Sequence, residues 1–136
     1  MPIKDDASIR EILKNAKSIA VVGASPKPGR DSGTIADYLA RKGFTVIPVN
    51  PAYADVFGMK CFPDLTSIGS PVDIVDIFRR PDEVMPIVEE AVKIRAGTVW
   101  MQLDVVHEEA ARRAEEAGLN VVMDRCIAVE YRRLVQ

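Results

Sequence analysis

Short apolar runs alternate along the chain with segments whose apolar residues recur every three or four positions. Continuous apolar runs are typical of strands buried on both faces of a parallel sheet. The pattern predicts five strands: Ile19–Val22, Thr45–Ile47 running into Pro48–Pro51, Val72–Phe78, Thr98–Leu103 and Val121–Met123.

Helical periodicity predicts four helices between these strands. They run from about Ala7 to Lys17, from Asp31 to about Lys42, along the stripe Val84 to Val92, and from about His107 to Ala117. Pro86 lies inside the third pattern and removes one backbone donor, so we expect that helix to start late or to kink. The stretch from Ala52 to Ser70 is predicted to be mostly irregular, with one helical turn near Asp64–Ile68.

Strands separated by helices imply right-handed crossovers and a parallel sheet with helices on both faces. We therefore predict the α/β class: a single domain over residues 1–136 with a Rossmann-like, doubly wound, five-stranded sheet in the order 3-2-1-4-5. Ligands bind such sheets beyond the carboxyl ends of the strands, where the strand order reverses. In the predicted order, that point lies between the first and fourth strands.

Composition and charge narrow the class of partner. The chain has 136 residues, the size of one domain, and its 18 basic and 20 acidic residues leave a net charge of −2. Nucleic-acid binding needs a concentrated basic face, so no such partner is expected. The apolar runs are too short to span a membrane, and residues 1–6 lack the apolar core of a signal peptide. Cys61 and Cys126 match no zinc or redox spacing, which indicates reduced thiols in a cytoplasmic protein and no metal site.

The loop after the first strand is the most informative segment. Gly23 would let the backbone approach a phosphate closely, and the helix that follows offers free N–H groups to an anion. The loop region also carries the cations Lys27 and Arg30 and the hydroxyls of Ser25 and Ser32. These groups predict a phosphate site, and the alternative is a glycine-rich turn that only lets helix and strand pack.

The loop does not match the dinucleotide fingerprint. Gly23, Gly29 and Gly33 are spaced six and four apart, unlike G-x-G-x-x-G. The second strand ends in Asn50 and Pro51 and has no acidic residue to bind an NAD ribose. Both features weaken a dehydrogenase interpretation.

No catalytic residue is predicted. His107 stands at a helix start, Asp104 follows the fourth strand, where it would cap a turn or contact a substrate, and Cys126 follows the fifth strand as a structural or reactive thiol. Asp73 and Asp76 are three positions apart on a strand, so they lie on opposite faces and form no carboxylate pair.

Five segments resemble a known family: VVGASPKPGR, VIPVNP, VDIVDIFRRP, VWMQL and AGLNVVMDRC, in that order. They are similar to the stand-alone CoA-binding proteins of bacteria and archaea, and to the CoA-binding domain at the start of the succinyl-CoA synthetase α subunit. The resemblance extends from about Ile12 to Leu134. Five segments in register are more specific than any one glycine-rich loop.

The resemblance implies a Rossmann-type domain that binds coenzyme A and has no established reaction. It implies these contacts: phosphates on Gly23, Ala24, Ser25 and Arg30, the adenine side on Asn50 and Pro51 with Phe78 and Arg79 opposite, and the pantetheine path near Gln102. Asp104 departs from the pattern, because relatives often carry glycine there.

The sequence thus predicts a non-catalytic carrier, sensor or regulatory module that binds coenzyme A or an acyl-CoA, with no protein partner identified. One alternative is a small NAD(P)-binding oxidoreductase or a CoA-thioester-processing enzyme. Another is an interaction module that binds a simple anion or a phosphoprotein.

Overall fold

A computed structural model covers Met1–Gln136 and contains a five-stranded parallel sheet with helices on both faces. In chain order the elements are α1 (Asp6–Asn15), β1 (Ser18–Val22), α2 (Asp31–Arg41), β2 (Thr45–Val49), β3 (Asp55–Val56), β4 (Met59–Lys60), β5 (Ile74–Ile77), α3 (Val84–Lys93), β6 (Thr98–Met101), α4 (Glu108–Glu116), β7 (Asn120–Val122) and α5 (Ile127–Leu134). The predicted class, a Rossmann-like α/β domain, is confirmed. None of the helices has the length and apolar character needed to cross a membrane.

The strand order in the main sheet is β2-β1-β5-β6-β7. Counting only these five strands, the order is 2-1-3-4-5, so the predicted order 3-2-1-4-5 is wrong. The third strand, β5, pairs with β1 and not with the outer edge of β2. The reversal of strand order therefore lies between the first and third strands, and this moves the expected ligand position next to β5.

The outer edge of β2 is closed by the chain that returns from the small β3–β4 hairpin. The Phe62 N–H donates to the Pro48 carbonyl at 3.0 Å, and the Asn50 N–H donates to the Phe62 carbonyl at 2.8 Å. Pro48 also lacks the N–H that a further full strand would need, and proline inside a sheet is confined to edges and bulges. Pro48 was thus the sequence signal that β2 is an edge strand.

Two apolar layers enclose the sheet. α3 and α4 cover one face, where Val75, Val88 and Ala114 are fully buried. α1, α2 and α5 cover the other face, where Trp100 is fully buried and its Nε1 donates to the Arg125 carbonyl at 2.8 Å. α5 and the β3–β4 hairpin were not predicted.

α3 begins after a 3-10 turn at Pro81–Glu83, which places Pro86 in its first turn. An N–H in the first turn has no partner within the helix, so proline removes no bond there. α3 thus begins at Val84, the first residue of the predicted stripe, so the expected late start is not observed. Around Leu65 the chain forms a hydrogen-bonded turn, not a helix, with the Asp64 carboxylate accepting from the Ser67 N–H at 2.9 Å.

Candidate cofactor site at the carboxyl edge of the sheet

Gly23 is held where the ends of three strands converge. Its N–H donates to the Val49 carbonyl at 2.8 Å, and its φ of 93° lies in the left-handed region. A Cβ on Gly23 would lie 2.3 Å from the Phe78 carbonyl oxygen. Glycine is therefore required at this position by its left-handed φ and by the close approach of the Phe78 backbone, independently of any ligand.

Two buried serines join this loop to the first turn of α2. The Ser25 N–H donates to Ser32 Oγ at 3.1 Å, and the Lys27 N–H donates to Ser25 Oγ at 3.2 Å. A Cβ on Gly33 would lie 2.1 Å from the Ser25 carbonyl oxygen, so glycine is needed there for the helix to approach. Each serine hydroxyl accepts within the chain and keeps its own proton available for a ligand.

The first turn of α2 is free of side-chain caps. Its N-cap residue is Arg30, which makes no side-chain cap bond, so the first amides of the helix remain available to an anion. Arg30 and Lys27 are exposed, whereas Ala24 is fully buried and can offer a ligand only its backbone. Asp31 places one negative charge in the same turn and offsets part of the attraction.

Asn50 clamps the end of β2 to the loop after β1. Its Nδ2 donates to the Ala24 carbonyl at 3.0 Å, and its Oδ1 accepts from the Ala52 N–H at 2.9 Å. The amide group is therefore engaged within the protein, and Asn50 shapes the site more than it offers free hydrogen-bonding groups. Pro51 follows it and is exposed.

The cations after β5 are already paired. Arg79 Nε lies 3.1 Å from Glu83 Oε2, and Arg80 lies 3.2 Å from the other oxygen of the same carboxylate. Glu83 therefore neutralises part of the positive charge of Arg79 and Arg80. Phe78 is half-buried and packs against the apolar layer of α1, α2 and α5.

Gln102 is only 4% exposed and caps α5. Its Oε1 accepts from the Ile127 N–H at 2.8 Å, where the N-cap residue Cys126 provides no side-chain bond. The amide nitrogen Nε2 of Gln102 has no acceptor within the chain.

The predicted residues gather around two clefts that meet at Gly23 and Arg79. The larger cleft, about 480 Å³, includes Ser25, Arg30, Ser32, Phe78 and Gln102 in its wall, together with Asp104 and Cys126. The smaller cleft, about 360 Å³, includes Asn50 and Pro51. Ala24 and Lys27 line neither cleft.

A further cavity of about 550 Å³ lies at the opposite, amino edge of the sheet. Asn15, Asp73 and Asn120 are among its lining residues, and none of the predicted site residues reaches it. Asp73 has a structural role there, since its Oδ2 accepts from the N–H groups of Lys17 at 2.7 Å and Ser18 at 3.1 Å. Ligands of open parallel sheets bind at the carboxyl edge, so we assign the candidate site to the two clefts there.

Of the potential acid and base groups, His107 is engaged through its side chain and Asp104 only through its backbone N–H. His107 is the N-cap of α4, and its Nδ1 accepts from the Ala110 N–H at 3.0 Å. Asp104 has a φ of 71°, and its N–H donates to the Asp124 carboxylate at 2.7 Å. The left-handed conformation favours glycine, which explains why glycine suits this position in the resembling family.

Asp76 was named in the sequence analysis, but its burial was not predicted. It lies in β5 between Val21 of β1 and Trp100 of β6, is fully buried, and has no hydrogen-bond partner for either carboxylate oxygen. Burial raises the pKa of Asp76 well above its usual value. An acidic residue inside an otherwise apolar strand run was the available signal.

The fold is that of a Rossmann-like domain with an uncapped helix N-terminus at the reversal of strand order. The family model described as a CoA binding domain matches residues 17–132. The chain belongs to this family.

Relatives of similar length align with 92% or more of the chain. An uncharacterized protein, YneT, from Bacillus subtilis is 39% identical over 125 residues, covering 92% of this chain and 93% of its own. A hypothetical protein from Pyrococcus horikoshii is 44% identical and superposes with a TM-score of 0.95, covering 100% of this chain and 97% of its own.

A larger relative carries the same segment as a small part of its length. An ADP-forming acetate–CoA ligase from Archaeoglobus fulgidus is 32% identical over 129 residues. The alignment covers 88% of this chain and only 19% of the ligase. The homology therefore concerns the CoA-binding segment and not the ligase as a whole.

Proposed function

We propose that this protein binds coenzyme A, or an acyl-CoA, across the two clefts at the carboxyl edge of the sheet. The observation that carries the proposal is the family match over residues 17–132, which spans every residue lining both clefts. The uncapped first turn of α2, at the reversal of strand order, supplies the anion site that the phosphates of coenzyme A require.

The charged residues around the two clefts indicate the orientation of the bound coenzyme. Four carboxylates line the smaller cleft, from Asp64, Asp82, Glu83 and Glu90, against the single cation Arg79. The phosphates therefore belong on the α2 side, against the amides of the first turn and the guanidinium of Arg30. The uncharged adenine ring suits the smaller cleft, beside Asn50 and Pro51.

The pantetheine arm then follows the larger cleft past Gln102. Gly23 and Arg79 line both clefts, so they adjoin the point where the ligand passes from one cleft to the other. The acidic lining of the smaller cleft also disfavours a phosphorylated group deep inside it.

The proposed role is that of a non-catalytic carrier, sensor or regulatory module. The His107 side chain is engaged in a helix cap, and the Asp104 carboxylate, in the wall of the larger cleft, forms no hydrogen bond to a candidate base or nucleophile. The ligase relative supports a role for this segment in holding the coenzyme, and no ligase activity is carried over from it.

The first test is the identity of the small molecule retained by the purified protein, measured by mass and absorbance. Titration calorimetry then compares coenzyme A, NAD and inorganic pyrophosphate under reducing conditions. We expect coenzyme A to bind at least about tenfold more tightly than NAD, a difference of about 1.4 kcal/mol. Equal affinity for NAD would favour an oxidoreductase, and equal affinity for pyrophosphate would favour a simple anion-binding module.

A further inference from the structure

Cys126 has a different environment from the other thiol of the chain. It is half-buried at the first position before α5, and it lines the larger cleft together with Gln102 and the loop before α2. Cys61 is only 6% exposed, and burial raises the pKa of its thiol. Of the two thiols, Cys126 is therefore the one that a molecule in the cleft can meet.

Gln102 offers a free hydrogen-bond donor beside Cys126. This residue is only 4% exposed and lines the same cleft, and its Oε1 accepts from the Ile127 N–H. Its Nε2 makes no hydrogen bond within the chain and is not among the fully buried unpaired atoms, so it remains accessible to a molecule in the cleft. The pantetheine arm of coenzyme A carries amide carbonyls, which are suitable acceptors, and it ends in a thiol.

The larger cleft connects the phosphate end of the site to this thiol. Arg30 and Ser32 lie in its wall on the α2 side, and Gln102 and Cys126 lie in its wall on the α5 side. A coenzyme held by its phosphates at α2, with its arm along Gln102, directs its sulfur towards Cys126.

We propose that Cys126 is a thiol–disulfide exchange site for coenzyme A, an inference that rests on the proposed function. The Cys126 thiol loses its proton to solvent, and its sulfur attacks one sulfur of a coenzyme A disulfide. A bond forms between Cys126 and that coenzyme A, the original S–S bond breaks, and the second coenzyme A leaves as a thiolate that takes a proton from solvent. The disulfide is itself the oxidant, so no further co-reactant is needed.

The position of Cys126 leaves its sulfur free to react. It is the N-cap residue of α5, and its side chain makes no hydrogen bond to the helix. The protein would thereby hold its coenzyme covalently when the coenzyme pool is oxidised and release it when the pool is reduced.

The experiment incubates the reduced protein with coenzyme A disulfide and follows intact mass. We expect one coenzyme A adduct, located on the peptide that contains Cys126 and removed by dithiothreitol. Cys126→Ser should abolish the adduct, and serine is a good N-cap residue, so this variant should fold. Cys61→Ser is the matched control and should be modified at the wild-type rate, and an adduct on Cys61 would overturn the inference.

The rate tests whether the nucleotide directs the reaction. Coenzyme A disulfide should react at least about tenfold faster than glutathione disulfide at equal concentration, because binding raises the effective concentration of the reacting sulfur. Excess desulfo-coenzyme A should remove that advantage. Equal rates would mean an accessible thiol without a site and would overturn the inference. If calorimetry shows tight coenzyme A binding but no adduct forms, the exchange site at Cys126 is wrong and the proposed function stands. If coenzyme A does not bind, both the exchange site and the proposed function are wrong.

Discussion

Among the cations near the site, Arg30 alone is exposed, lines the larger cleft and has no acidic partner. Arg79 and Arg80 share Glu83, whereas Arg30 forms none of the chain's ion pairs. Arg30→Ala should weaken coenzyme A binding by about 1.5–3 kcal/mol, the value of a hydrogen bond to a charged group. Calorimetry measures this loss of affinity, and urea unfolding should show an unchanged free energy of unfolding.

The matched control for Arg30 lies at the other end of the same helix. Arg41 is paired with Asp37 at 2.7 Å in the last turn of α2, far along the helix from the cleft. Arg41→Ala should leave coenzyme A affinity unchanged. If Arg30→Ala also leaves it unchanged, Arg30 does not contact the phosphates.

Asp76 predicts an unusual dependence of stability on pH. Because burial raises the pKa of Asp76 in the fold, the folded state holds its proton more tightly than the unfolded state does. The contribution of Asp76 to stability is therefore complete below the usual pKa of 3.8 and is lost as pH rises through the folded pKa. Between pH 3.8 and the pKa of Asp76 in the fold, the contribution of Asp76 to the free energy of unfolding falls by about 1.4 kcal/mol per pH unit.

Asp76→Asn removes this titration while keeping the shape of the side chain. The free energy of unfolding is measured in urea from pH 4 upwards for both proteins. The wild-type value minus the Asp76→Asn value should be largest at the acidic end and should decrease as pH rises. Carboxyl groups whose pKa is lowered, such as Asp6 and Glu130, act in the opposite sense, but they are common to both proteins and cancel in the comparison. Parallel curves for the two proteins would show that Asp76 does not stay protonated in the fold.

At the scale of elements, the first turn of α5 is stabilised by Gln102, a side chain that directly follows β6. Its own N-cap residue makes no side-chain bond, and Gln102 supplies the acceptor for the Ile127 N–H. Gln102→Met has a similar length and no acceptor, so it should destabilise the protein by about 0.5–2 kcal/mol, the cost of losing an N-cap. Urea unfolding measures this cost, and amide exchange should become faster at Ile127.

Gln102→Glu is the matched comparison for the cap. Glutamate keeps the acceptor, and its charge faces the positive end of the helix, so the loss should be smaller than with methionine. If both variants unfold at the wild-type urea concentration, the Gln102 bond contributes nothing to α5.

The predicted elements were those with long or continuous apolar patterns. All five main strands and α1 to α4 appear close to their predicted positions because their patterns report burial directly. α5 was missed although Ile127, Tyr131 and Leu134 follow a helical spacing, because the stripe is short and ends the chain. The β3–β4 hairpin was missed because it has only two residues in each strand, around Phe57 and Gly58 in left-handed conformations.

At the scale of the whole molecule, ligand binding should be visible as thermal stabilisation. A ligand at a hundredfold excess over its dissociation constant stabilises the folded state by about 2.7 kcal/mol. For a domain of this size the melting temperature should rise by roughly 5–15 °C. We expect this rise with coenzyme A and little change with NAD at the same concentration. A shift with NAD as large as that with coenzyme A would contradict the argument from the missing acidic residue after β2.

The sequence by itself determined the fold class, the main strands and helices, and the family, because each depends on residue patterns that are local or occur in a fixed order along the chain. The tertiary structure decided the strand order. Pro48 marked β2 as an edge strand, but only the pairing of β5 with β1 and the hydrogen bonds between Phe62 and the end of β2 show how the strands are arranged. The tertiary structure also decided which candidate groups are free: Asn50 and Arg79 are engaged by neighbours, while Arg30 and Cys126 face the cleft. Side-chain pairing depends on which strand ends are neighbours in the folded protein. The partners are far apart in sequence, so local sequence patterns do not identify them.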